Sequence, residues 1–233
     1  MIHCAAIFTD HMLLQRGKPI AVFGTGTAGE PVTVSVPQRH CTVSSAVRQD
    51  GTWRGAPAPA AQRALPPMPA GTGCTLTVNE QEFSDVAFGE VWLAGGQSNM
   101  EFMLKDARNG TAELEQCRNS NVRYFQVPRN TFADDAYTAA WNAARWELPD
   151  PETSGTWSAA AYLAAKELAQ TQGVPVGIIG WQHRGGHGRR QRLIGQLLAA
   201  GIRSAGTRCR SPLFAGLRRC RRGKDGRGND RRV

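Results

Sequence analysis

A chain of 233 residues is long enough to bury a sizeable core, in one large domain or two small ones. With 41% hydrophobic and 20% charged residues its composition is that of a soluble globular protein, and it has no run of the roughly 18–20 apolar residues that a membrane-spanning helix needs. The formal net charge of +9 is uneven: residues 1–180 hold 13 basic and 17 acidic side chains, whereas the last 53 positions hold 15 and 2, so the positive excess lies wholly in the tail.

The opening MIHCAAIFTDHMLLQ has no basic leader, and Asp10 and His11 interrupt its apolar residues, so it does not have the pattern of a secretory signal. Six cysteines (Cys4, Cys41, Cys74, Cys117, Cys209, Cys220) are scattered without a CxxC pair or a compact framework. Free thiols and a cytoplasmic location are the expectation.

Over residues 5–88 short β-rich runs follow one another: PIAVFG (19–24), PVTVSV (31–36) and CTLTV (74–78). Turn chemistry separates them at Gly24–Gly29, at Asp50-Gly51 and in LPPMPAG (65–71). The pattern predicts an antiparallel β-sandwich-like domain over residues 1–88. From residue 89 apolar strands alternate with helical patterns, which predicts an α/β unit with parallel strands. VWLA (91–94), VRYFQV (122–127) and VPVGIIG (174–180) read as strands, and TWSAAAYLAAKELAQTQG (156–173) as a helix closed by the glycine C-cap Gly173. The fold class expected is therefore β plus α/β, with a partial, flavodoxin-like parallel sheet over 89–180. Three parallel strands with so little to cover them predict an open edge and an uncovered apolar face.

The stretch EVWLAGGQSNMEF (90–102) carries the chemistry. A buried strand, then Gly95-Gly96, then Gln97-Ser98-Asn99 entering a helix would put Ser98 at the carboxyl edge of a parallel sheet, where open α/β sheets bind ligands. Glycines permit a tight turn, and helix N-terminal N–H groups would stabilise an oxyanion beside the serine. The residues alone leave two readings open, a nucleophile or an ordinary loop or N-cap serine, and the spacing is not the G-x-S-x-G of an α/β-hydrolase elbow.

GEVWLAGGQSNMEF resembles the nucleophile block of the sialate O-acetylesterase family, a branch of the SGNH/GDSL hydrolases. IFTDHMLLQRGKPIAVFGTG (7–26), LPPMPAG (65–71) and GTWSAAAYLAAKEL followed by GVPVGIIG resemble further segments of that family in the same order, covering about residues 5–180. The resemblance implies an SGNH-type α/β domain and removal of acetyl groups from O-acetylated sialic acid or a related sugar. It implies Ser98 as nucleophile, with the Ser98 backbone N–H as an oxyanion donor, Gln97 and Asn99 beside it and Gly185 as a second donor. No cofactor is implied.

Serine needs an oriented base to attack an ester at neutral pH. The family's Q-G-E-x-N block and late Asp-x-x-His are absent, so the base His and its Asp have no counterpart. His3, His11 and His40 fall in the β-rich region. His183 and His187, taken with Cys209 and Cys220, do not match the spacing of common zinc modules, so no metal is expected.

The tail WQHRGGHGRRQRLIGQLLAAGIRSAGTRCRSPLFAGLRRCRRGKDGRGNDRRV replaces the family's continuation. Trp181-Gln182-His183-Arg184-Gly185-Gly186, back-translated and read one base later, permits Gly-Asn-Ile-Gly-Gly, which resembles that continuation. A frameshift near Gly180 is the expectation, with 181–233 a basic tail that is not natively folded and the enzyme truncated. Three functional classes result: an impaired acetylesterase, a non-catalytic carbohydrate-binding or relic fragment, and a nucleic-acid binder acting through the tail. The tail lacks aromatic interleaving and any known module, which favours a solvated extension over nucleic-acid recognition. Nothing in the sequence sets an oligomeric state.

Overall fold

The structure, a computed structural model, describes residues 1–55, 64–96, 98–119, 121–128 and 135–182, and the backbone of 203–205. The described residues of the amino-terminal third form strands and one 3₁₀ turn (Pro37–Arg39): β1 (His3–Cys4), β2 (Leu13–Gln15), β3 (Val22–Thr25), β4 (Pro31–Val36), β5 (Cys41–Ala46) and β6 (Thr52–Gly55). β7 (Gly71–Val78) and β8 (Gln81–Gly96) come next as a hairpin. Strands β1, β3 and β6 make a three-stranded antiparallel sheet.

Local chemistry explains these elements. PVTVSV alternates strictly, and Val32, Val34 and Val36 turn inward while Pro31 and Thr33 face solvent. At the β7–β8 turn Asn79 takes the left-handed conformation (φ 50°), which asparagine tolerates. Its side chain accepts from the Thr33 N–H (2.8 Å) and donates to the Pro31 carbonyl (3.0 Å), locking the hairpin to β4. Asp50-Gly51 forms the turn before β6, with the Asp50 carboxylate accepting from both the N–H and the hydroxyl of Thr52.

Beyond β8 come α1 (Gly110–Glu115), β9 (Val122–Gln126), α2 (Asp135–Ala143), β10 (Trp146–Glu147), α3 (Ala159–Gln172) and β11 (Val176–Gln182). The last described strand is β12 (Arg203–Ala205). A nine-stranded sheet runs β10-β9-β11-β8-β7-β4-β5, with β2 and β12 also pairing β8. β8 therefore passes through residues 88 and 89, where the letters change character. Up to Phe88 it pairs antiparallel with β7, and from Glu90 it pairs parallel with β11. The mixed sheet and its helices make an α/β arrangement in which one strand is shared between the β-rich and parallel parts.

Period-2 alternation sorts the two faces of the parallel strands. Val91, Leu93, Phe125, Ile179 and Trp181 pack toward the amino-terminal β layer, with Trp141 and Trp146 beside them. Trp92, Ala94, Val122, Tyr124, Val176 and Ile178 pack toward α3. Helix α3 begins at the N-cap Ser158, whose hydroxyl accepts from the Ala161 N–H, and ends at Gly173 in the left-handed conformation (φ 63°). It lays Ala161, Tyr162, Ala165 and Ala169 on the sheet, and the small alanines allow close approach. The expected uncovered face is not observed among the described residues, because the amino-terminal β layer covers one side and α3 the other.

The strand order also differs from the flavodoxin-like one, in which the first parallel strand lies between the second and third. Here the third, β11, lies between β9 and β8. A side chain at Gly180 would place its Cβ 2.2 Å from the Tyr124 hydroxyl, so glycine in β11 makes room for the ring of neighbouring β9. Strand β11 also continues past Gly180: Trp181 pairs with Gly95 and Gln182 with Gly96. Arg203–Ala205 lies parallel to Trp92–Ala94, and the remainder of 183–233 lies outside the described residues. Ladder hydrogen bonds use only backbone, so such pairing does not depend on which side chains the tail carries.

Candidate active site

The carboxyl ends of β8, β9 and β11 lie side by side, with Gln182 opposite Gly96 and Gly180 opposite Gln126. Gly95 and Gly96 are the last two residues of β8 and not a turn. The chain turns at Ser98–Met100, and Ser98 and Asn99 are both exposed there, two and three residues past the strand. Gln97 and Gly185 lie outside the described residues, as do His183 and His187.

No helix starts at Ser98, in contrast to the sequence expectation. A 3₁₀ turn comes first, at Leu104–Asp106, and α1 begins only at Gly110. The reason lies in how residues 100–104 are held. A Cβ on Gly96 would sit 2.8 Å from Met100 Cγ, so this glycine serves the close approach of Met100. Met103 then bridges antiparallel to Ser158, Ala159 N–H donates to the Phe102 carbonyl (2.9 Å), and Leu104 N–H donates to the Trp157 carbonyl (2.9 Å). The segment after Ser98 is thus strapped across the N-terminus of α3, and the extended backbone it needs is incompatible with helix. Any oxyanion donor at Ser98 is a turn N–H and not one of a helical first turn.

The strap was not legible as a feature, because Met100 and Ser158 are 58 positions apart and meet only in the fold (Ser158 Oγ to Met100 Sδ, 3.7 Å). The one local signal was Ser158 itself, a serine ahead of an alanine-rich run, which marks a helix start.

No partner of Ser98 that could take its proton is found among the described residues. His3 lies on β1, and His40 closes the 3₁₀ turn Pro37–Arg39 in the left-handed conformation (φ 49°). His11 does pair with a carboxylate: its Nδ1 lies 2.8 Å from Asp85 Oδ2. Asp85, however, lies near the start of β8 and Gly96 ends it. At about 3.3 Å per residue the pair is on the order of 30 Å along the strand from Ser98. The pair belongs to a different construction. Arg123 on β9 donates to Asp85 Oδ1 (3.1 Å), to the carbonyls of His11 (2.9 Å) and Met12 (3.3 Å), and to the Asp85 carbonyl. Only 6% of Arg123 is exposed, and this burial lowers its pKa, opposed by the attraction of Asp85. The cluster ties the β layer to the amino ends of the parallel strands, away from the ligand edge.

A second buried ion pair sits at the change of partners in β8. Glu90, 7% exposed, accepts from Arg16 Nε (2.9 Å) and Gln15 Nε2 (3.2 Å), while Gln15 Oε1 accepts from the Val91 N–H (3.0 Å). Every one of these groups is matched, as burial requires. Among the described residues no group of three or more His, Cys, Asp or Glu side chains is arranged to hold a metal ion, and no helix is long and apolar enough to cross a membrane.

Comparison with known proteins bears on the kind of protein this chain resembles. No protein-family model matches the chain. The sialate O-acetylesterase of Pongo abelii is 29% identical over 194 residues, covering 75% of this chain and 36% of that protein. The Rattus norvegicus sialate O-acetylesterase is 29% identical over 199 residues, covering 75% of this chain and 34% of its own. A solved carbohydrate acetylesterase from Xanthomonas citri superposes with a TM-score of 0.64 at 26% identity, covering 78% of this chain and 40% of that one. The chain is similar in sequence to sialate O-acetylesterases and in fold to a carbohydrate acetylesterase. The chain spans about a third of the length of the curated relatives it matches.

Proposed function

We propose that this chain carries the acyl-accepting part of a carbohydrate O-acetylesterase, with Ser98 as its nucleophile and an O-acetylated sialic acid or related acetylated sugar as its substrate class. The observation that carries the reading is the exposure of Ser98 immediately beyond the carboxyl end of β8, the edge where α/β sheets bind ligands. Its occurrence in a chain similar to acetylesterases in both sequence and fold adds support.

In the reaction proposed, Ser98 Oγ attacks the acetyl carbonyl as its proton leaves to a base. The Ser98 N–H donates to the oxyanion that forms. Collapse expels the sugar hydroxyl and leaves acetyl on Ser98, and water then releases acetate. Asn99 and Gln97 flank the reacting centre, and Gly185 is the candidate second oxyanion donor. The weak link is the base. With His11 held by Asp85 at the far end of β8, no described histidine serves Ser98, and the proposed activity is impaired accordingly. We further propose that the reading frame shifts near Gly180, so that the missing base was encoded beyond it; resequencing the locus tests this, and an undisturbed frame would refute it.

The activity is tested by hydrolysis of a chromogenic acetyl ester by the full chain beside Ser98→Ala. The reading expects slow turnover that falls at least about tenfold in the variant, since removing the nucleophile leaves only background catalysis. Equal rates would favour a non-catalytic carbohydrate-binding or relic chain.

A further inference from the structure

Phe102 is four residues past Ser98 and 49% exposed, one of three large hydrophobic side chains in that state among the described residues. A single exposed apolar residue is ordinary by itself. What sets Phe102 apart is that its backbone is held firmly while its ring is left out of the core. Its carbonyl accepts from Ala159 N–H, and the next two residues are fixed by the Met103–Ser158 bridge and by the Leu104 N–H bond to the Trp157 carbonyl. Leu104 is fully buried and Met100 folds back on Gly96, so the strap sends alternate side chains inward on either side of the phenylalanine. The ring is presented on a rigid support on the segment that carries Ser98, and at no more than about 3.3–3.6 Å per residue the two positions are within roughly 14 Å of each other.

From this placement we infer that Phe102 is a stacking platform for the sugar ring of the acetylated substrate. This deepens the proposed function and rests on the reading of Ser98 as the acyl site. The chemistry fits the ligand class. The face of an aromatic ring carries partial negative charge, and the C–H groups on one face of a pyranose carry partial positive charge, so the two faces attract while apolar area leaves water. An acetyl group alone offers too little surface for such a contact, so Phe102 acts on the sugar and not on the ester. It is a specificity-determining residue that contributes to binding and leaves the acyl chemistry unaltered.

The test uses the full chain with Ser98→Ala, which prevents hydrolysis during the measurement, titrated with O-acetylated N-acetylneuraminic acid and followed by ligand-observed NMR. Adding Phe102→Ala is expected to weaken affinity about threefold to tenfold, the range of a lost aromatic contact, and Phe102→Trp to preserve it. An affinity unchanged by Phe102→Ala, or no binding of the sugar by the parent chain, would overturn the inference. Hydrolysis of methyl acetate, which has no ring, is read in parallel by proton release from the parent chain and from Ser98→Ala, as the separate test of the nucleophile. A methyl acetate rate that ignores Ser98→Ala, alongside a persistent Phe102 effect on affinity, would sink the nucleophile and leave the platform standing.

Discussion

Replacing Gly89 by alanine probes the point where β8 exchanges its neighbours. An alanine Cβ there would lie 2.0 Å from the Pro175 carbonyl oxygen and 2.8 Å from its carbon. Both are backbone atoms, so no rotamer change relieves the clash, and β11 must move away by an ångström or more. Overpacking of this kind costs about 1–3 kcal/mol, and the Glu90 N–H bond to the Pro175 carbonyl, lost or stretched, adds about 1 kcal/mol, giving roughly 2–4 kcal/mol in total. For a chain of this size that lowers the melting temperature by roughly 5–15 °C. Gly177→Ala is the control. Its Cβ would lie 3.0–3.2 Å from Leu13 and Trp146, tight by a few tenths of an ångström where the Gly89 clash is about an ångström or more, so its cost should be smaller. Urea unfolding followed through the buried Trp53, Trp146 and Trp157 measures both variants. If Gly89→Ala unfolds within about 0.5 kcal/mol of the parent chain, β8 is not shared between the two layers.

Arg123→Leu should destabilise the chain by about 2–4 kcal/mol, because it removes the guanidinium donors to the carbonyls of His11, Met12 and Asp85 and leaves the partly exposed Asp85 carboxylate without its guanidinium; chemical denaturation checks this, and a change below about 0.5 kcal/mol would contradict the cluster's role. Among the described residues four carboxyls are held below the usual range: Asp10 by the Ser84 backbone N–H, Glu30 by the N-terminal ammonium, Asp50 by the Thr52 hydroxyl, and Asp150 by Arg118. A depressed folded-state pKa means stability that is fully present above the unfolded value of about 3.9 and lost as pH falls through the lower folded value. Melting temperature should therefore be insensitive to these groups from pH 5 to 7 and drop below about pH 4, and Asp10→Asn should flatten part of that drop.

Much of the fold was legible in the letters. PVTVSV alternates at period two and is β4 to the residue, and the run from Ser158 to Gly173 carries a cap at each end and is α3. The extent of β8 was hidden because its two halves face different neighbours. QEFSDVA reads as a half-exposed antiparallel strand and EVWLA as a buried parallel one, and only the ladder shows them to be continuous. Strand order was hidden for a similar reason. It depends on which ring fits over which glycine, as at Tyr124 and Gly180, and periodicity carries no such information. At the site, the position of Ser98 just past the end of a strand was legible and its surroundings were not. Gly95-Gly96 has the composition of a turn, yet these residues extend the strand, and Gly96 is small to admit Met100.

The central claim, that Ser98 accepts the acetyl group, is tested most directly by looking for the acyl-enzyme. An activated ester brings a good leaving group that eases attack by an unassisted serine, whereas acetyl-serine has a poor one and no base to activate water, so the acetyl group should accumulate. Incubation of the full chain with an activated acetyl ester, quenching and peptide mass spectrometry should find one acetyl group on the peptide containing Ser98, absent from the same peptide of Ser98→Ala. Acetylation confined to lysines, or equal on that peptide in both chains, would contradict the account.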